Sequence, residues 1–251
     1  MKNTSSTRMI CASPLVAIAM CLLLVCGRPA EAVVVYAVDD GTSESGVGFG
    51  GTGDMWWANF FTAPAGGDTI TSIEIAFGSG IFSTGLSNGD AFTVYLYDDT
   101  DDNGSPYIGL SLTSSLSLLT SASATVQNAD TDIFQSIDIP DTVVNGGFFV
   151  AARIAFEPGL FPASLDASSS QGASWVVASV TPIDPSDVVG TTPPQALLTT
   201  DFLGLGGNWL LRSTGTSQNG QSGAVPEPVT AVTGMLGLAA LALALRRRRC
   251  S

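Results

Sequence analysis

Gly147-Phe148-Phe149-Val150-Ala151-Ala152-Arg153-Ile154-Ala155-Phe156 is the stretch that decides the fold. A two-residue period places Phe148, Val150, Ala152, Ile154 and Phe156 on one face, which is how a strand lies on a core. Thr69 to Phe77 repeats the pattern with Ile73, Ile75 and Phe77, and Phe92-Thr93-Val94-Tyr95-Leu96-Tyr97 alternates likewise. Weaker runs of the same character lie at 33–38, 56–61, 110–119, 134–139, 175–180 and 209–212. Clusters of Gly, Asp, Asn, Ser and Pro separate them, and these residue types favour turns. About nine or ten short strands over about 190 residues, without an amphipathic helix between them, predict an all-β chain forming a single antiparallel β-sandwich of jelly-roll-like type. An elongated β-helix would need a fixed short repeat, and the chain has none. The stretches 41–53 and 181–194 read as long loops.

The two ends differ in composition from this middle. Lys2 and Arg8 precede an apolar stretch from Met9 to Val25, and a short polar segment then ends in Ala30-Glu31-Ala32. Charged, apolar and small-residue regions in that order form a secretory signal peptide over residues 1–32, with cleavage expected after Ala32. At the other end, Ala224-Val225-Pro226-Glu227-Pro228 leads into an uncharged run from Val229 to Leu245, and Arg246-Arg247-Arg248-Arg249 follows at once. Seventeen helical residues at about 1.5 Å each span roughly 25 Å, the short end of what crosses a bilayer. The arginines resist translocation and orient the helix with its C-terminus in the cytoplasm. Residues 33–217 are left as the sandwich domain, and the polar residues 218–223 as a linker that holds it clear of the membrane.

Pro226-Glu227-Pro228, the apolar helix and the arginine cluster resemble, in order and spacing, the PEP-CTERM sorting signal of exported bacterial proteins. The resemblance implies processing near Pro226-Glu227-Pro228 by an exosortase, a membrane enzyme, in a Gram-negative-type host that often makes extracellular polysaccharide. Cys250-Ser251 extends beyond the pattern. The resemblance concerns sorting only and says nothing of residues 33 to 223.

Composition excludes several chemistries in the middle of the chain. All four cysteines, at 11, 21, 26 and 250, fall outside it, so the domain holds no disulfide in a compartment that would permit one. The chain has no histidine, which removes Ser-His-Asp and Cys-His catalysis and His-based zinc sites. Of the basic residues only Arg153 and Arg212 lie between 33 and 223, against twenty carboxylates, a formal charge of −18. Such a surface repels nucleic acid and attracts divalent cations.

Carboxylates are the chemistry that remains. In Asp98-Asp99-Thr100-Asp101-Asp102-Asn103-Gly104, the residues Asp99, Asp101, Asn103 and Gly104 match the first half of an Asp-x-Asp-x-Asn-Gly calcium loop, in which alternate oxygen side chains converge on one hard cation. The twelfth position would be Leu110 instead of a bidentate glutamate, so the loop is no EF-hand, and an acidic hairpin turn is the competing reading. Trp56 and Trp57 are adjacent and must point to opposite faces of a strand. One of them is then exposed or under a loop, which marks the pair as the candidate glycan-binding platform. The expectation is an exported, non-enzymatic cell-surface or extracellular-matrix protein with polysaccharide as its candidate partner. The alternative is a carboxylate-dependent glycan hydrolase drawing on Glu44, Glu74 or Glu157.

Overall fold

The computed structural model describes residues 32–217 apart from 79, 81–82, 108–112 and 192–196. Residues 1–31 of the signal peptide, Ala30 among them, the 218–223 linker, Pro226-Glu227-Pro228, the 229–245 run, Arg246 to Arg249 and Leu110 lie outside the described residues. Among the described residues no helix is long and apolar enough to cross a membrane.

The elements are β1 (Val33–Tyr36), β2 (Ser45–Val47), β3 (Gly53–Ile75), β4 (Ala91–Asp99), β5 (Leu116–Thr125), β6 (Gln135–Phe156), β7 (Ala163–Asp166), β8 (Ser174–Ser179), a one-turn helix α1 (Val188–Thr191), β9 (Leu198–Thr199), β10 (Asn208–Trp209) and β11 (Leu211–Ser217). The ladders between them are antiparallel. The main sheet runs β1-β11-β3-β6-β4-β5, with β8 also paired to β3 and β9 to β8, and a small sheet runs β10-β7-β2.

Two expectations about the strands are corrected. The runs at 56–61 and 69–77 are one strand, β3, and the runs at 134–139 and 147–156 are one strand, β6. These two pair along their whole length, from Gly53↔Phe156 to Ile75↔Gln135, with register shifts between Ala63 and Asp68 and between Ile70 and Ser72. Residues 64–67 oppose Asn145 at the first shift, and Thr71 opposes residues 139–141 at the second. Each interruption holds a proline, Pro64 or Pro140, where its missing N–H breaks no ladder bond. Bulges bend and twist a strand without ending it. That is why turn-like residues inside β3 and β6 do not separate them into shorter strands.

Beyond the first bulge β3 changes partners on its other edge. Asp54 to Asn59 pair with β8, whereas Asp68 to Ile75 pair with β11. One pair of long strands therefore carries both layers of a sandwich-like fold. The inner faces meet in a single apolar cluster that takes Met55, Trp57 and Phe61 from the first half of β3, Ile73 and Ile75 from the second, and Phe148, Val150, Ala152, Ile154 and Phe156 from β6. The alternation in 147–156 and 69–77 thus identifies the inward faces as they stand. Ring contacts tie the layers together: Tyr36 meets Phe148 edge-on with centroids 4.9 Å apart, and Phe77 meets Phe92 at 5.1 Å. Burying each of the three phenylalanine rings stabilises the fold by about 1.5–3 kcal/mol.

The outward face of the first layer is also covered. Trp56, Ala58, Tyr95, Tyr97, Phe149, Ala151 and Val177 form a second buried cluster with Ile183, Val188, Val189 and Leu197. The described part of the stretch expected to be a plain loop at 181–194 therefore contains α1, and its Ile183, Val188 and Val189 act as an apolar lid. Burial on both faces explains why Phe148 to Ala152 is an unbroken apolar run.

Candidate metal centre

Strand β4 ends at Asp99, paired with Leu116 of β5. The chain turns there through Asp102 (φ 54°) and Gly104 (φ 74°), both in the left-handed region that Asp tolerates and glycine prefers. Asp102 N–H donates to the Asp99 carbonyl at 3.1 Å, and Thr100 donates from both its N–H and its hydroxyl to the Ser115 carbonyl. Outside contacts clamp the turn. The Asp102 carboxylate accepts the Gly147 N–H at 2.5 Å, and Trp175 Nε1 donates to the Gly104 carbonyl at 3.2 Å. The 99–104 turn is thereby seated on the bend of β6.

The structure brings Asp99, Asp101 and Asn103 together in this turn. Asp99 is 2% exposed, and its Oδ2 accepts the Gly104 N–H at 2.8 Å. Its Oδ1 is buried and accepts no hydrogen bond. Asn103 Nδ2 donates to Asp101 Oδ2 at 2.7 Å, and Asn103 Oδ1 accepts the Ser105 N–H at 2.7 Å. Burial pushes the Asp99 carboxyl above its ordinary range; the Gly104 N–H opposes that rise, and the neighbouring Asp101 carboxylate adds to it. Asp98 is raised in the same direction, first by burial and then by Asp102. Neither arginine relieves this crowding. Arg153 forms a charge-assisted bridge to Asp54, and Arg212 bonds Asp39 at 2.5 Å while its guanidinium lies 4.2 Å over the Phe134 ring.

A second acidic group has no motif to announce it. Asp40, Glu44 and Asp166 bring carboxylate oxygens within 4.8 Å of one another. They come from the loop before β2 and the end of β7, which the small sheet brings side by side. Backbone donors hold them. Asp40 N–H and Ser168 N–H bond the two oxygens of Asp166 at 2.9 and 2.8 Å, Ala167 N–H bonds Glu44 at 2.8 Å, and Thr42 N–H bonds Asp40 at 2.9 Å. Hydrogen bonds from Thr42 hold the Asp40 carboxyl below its ordinary range.

Trp56 and Trp57 do point to opposite faces, but both faces are covered, and the two side chains are 0% and 1% exposed. Trp57 lies in the inner core and Trp56 in the cluster covered by Ile183, Val188, Val189 and Leu197, 6.1 Å from Tyr97. Stacking on a sugar needs an open ring face, which neither residue offers. The glutamates are engaged separately. Glu44 belongs to the group just described, Glu74 accepts the Thr214 hydroxyl at 2.9 Å, and Glu157 accepts the Thr52 hydroxyl at 2.8 Å. A surface hollow of about 420 Å3 between Ala124 and Ile137 is lined without a carboxylate. One of about 210 Å3 beside Phe92 has a single acid, Asp54, already bridged to Arg153.

No protein-family model, curated protein or solved structure matches the chain.

Proposed function

We propose that this chain is an exported, non-enzymatic component of the cell surface or extracellular matrix, whose finished form is the acidic, jelly-roll-like sandwich between its two ends. The observation that carries the reading is the order Pro226-Glu227-Pro228, an uncharged run from Val229 to Leu245, and Arg246 to Arg249. The first motif is the processing site of an exosortase-type enzyme, and the helix and arginines hold the precursor in the inner membrane until it is cut. The signal ending in Ala30-Glu31-Ala32 delivers the chain to the general secretion machinery. A domain without cysteine, histidine or lysine suits an exposed structural part, since its stability comes from packing and ladder hydrogen bonds. Extracellular polysaccharide is the partner class that fits this setting. Contact would be through surface hydroxyls and carboxylates, since the Trp56 and Trp57 rings are enclosed.

Fractionation of a Gram-negative-type host expressing the chain with a tag inside a surface loop tests this reading. A shortened product should appear outside the inner membrane. Deleting the processing enzyme, or replacing Pro226-Glu227-Pro228 with alanines, should trap the full-length form in the inner membrane. Intact protein in the cytosol, or the same product after the alanine replacement, would overturn the reading.

A further inference from the structure

We propose that the 99–104 turn is a calcium site, with Asp99 Oδ1, the Asp101 carboxylate and Asn103 Oδ1 as its side-chain oxygens, and that the bound ion fastens the end of β4 to the bend of β6. The acidic spacing alone would be an ordinary turn. The independent observation is Asp99 itself, a carboxylate at 2% exposure whose Oδ1 has no donor. A buried carboxylate oxygen without a partner carries a large desolvation penalty. The groups around it do not supply a donor. The Ser115 hydroxyl beside it donates its proton to the Ser105 carbonyl at 2.6 Å. The Gly104 N–H is used by Oδ2. The Asp101 carboxylate against it is another acceptor while both groups are ionised.

The countercharge has to come from outside the domain. Between residues 33 and 223 the only cationic side chains are Arg153 and Arg212, and each already pairs with its own aspartate elsewhere. A hard divalent cation suits a set made only of oxygens, and calcium tolerates the irregular geometry of a loop better than magnesium, which demands a near-octahedral shell. The scaffold is in place for it: Gly104 takes the positive φ that a six-residue Asp-x-Asp-x-Asn-Gly turn needs, and its N–H already orients Asp99. The Asp40, Glu44 and Asp166 group differs on this point, because backbone N–H donors already bond its carboxylates. With two carboxylates and no bidentate glutamate, the 99–104 site should bind on the order of 10⁻⁴ to 10⁻³ M, the range of extracellular modules.

The test uses the full chain purified in detergent and stripped with chelator. Calorimetric titration with calcium chloride should give saturable binding and a raised melting midpoint. Terbium(III), a calcium probe, should emit on tryptophan excitation, since Trp175 bonds the turn directly, and calcium should displace it. Asp101 and Asn103 are exposed, so Asp101→Asn and Asn103→Ala should fold normally yet each weaken binding about tenfold or more, with the terbium signal falling in step. Asp138→Asn, an exposed acid elsewhere, should change nothing. Absence of saturable binding up to about 10 mM calcium, ten times the weak end of the extracellular range, would overturn the proposal and leave the turn as an acidic hairpin. Binding that survives both turn substitutions but is lost in Glu44→Gln would overturn it too, by moving the ion to the other acidic group.

Discussion

Asn59 shows how much of this fold depends on single side chains reaching across it. It is fully buried on β3, yet every polar atom of its amide is used: Nδ2 donates to the carbonyls of Trp209 and Leu211, both at 2.8 Å, and Oδ1 accepts the Ser174 hydroxyl at 2.6 Å. Three elements, β3, β8 and the β10–β11 junction, are thus tied by one residue. Asn59→Leu keeps roughly the volume but takes from two carbonyls the donor they share and from the Ser174 hydroxyl its acceptor. It should lower stability by roughly 2–4 kcal/mol in urea unfolding at unchanged m-value. An unaltered midpoint would show that those carbonyls find other donors. Nothing in the sequence marks Asn59. It sits in an apolar stretch of alternating character, and its partners lie 115 to 152 residues away. The opposite holds for Asp99, Asp101 and Asn103, whose convergence is legible because all three belong to one short turn.

At the scale of elements, the long β3–β6 pair and its two bulges govern the architecture. Gly146 sits at the first of them with φ +84°, and a Cβ there would collide with the Asp102 carboxylate. Gly146→Ala therefore combines backbone strain with displacement of the turn that Asp102 anchors through Gly147. It should lower the melting midpoint by the equivalent of about 1–3 kcal/mol. Gly89→Ala serves as the comparison: its φ is also positive, at 107°, but its Cβ would meet open space. Equal losses at the two sites would mean that the collision contributes nothing and only backbone strain matters. The period-two pattern shows which residues of β3 and β6 face inward. It does not show that a strand continues through Pro64 or Pro140, because continuity depends on whether the partner strand stays paired on both sides of the interruption.

For the whole molecule, charge is the dominant unusual quantity. A formal charge of −18 between residues 33 and 223 is set against two arginines, both already bridged. Like charges repel within the compact state more than in an expanded one, and salt screens that repulsion over about 10 Å at 0.1 M. The melting midpoint in chelator should therefore rise as sodium chloride goes from about 0.02 to 0.2 M. A fall would show that the Arg153–Asp54 and Arg212–Asp39 bridges outweigh the general repulsion. By itself the amino-acid sequence determined the all-β class, the inward faces at 69–77 and 147–156, and a domain without histidine, lysine or cysteine. These follow from local period and composition, which need no knowledge of neighbours. Only the tertiary structure decided that four expected strands are two, that Trp56 lies beneath a lid while Trp57 lies in the core, and that Asp40, Glu44 and Asp166 share one place. The physical reason is the same in each case: a strand's pattern states which way a side chain points, whereas burial, pairing across a bulge and carboxylate convergence depend on segments up to a hundred or more residues away that come to lie against it.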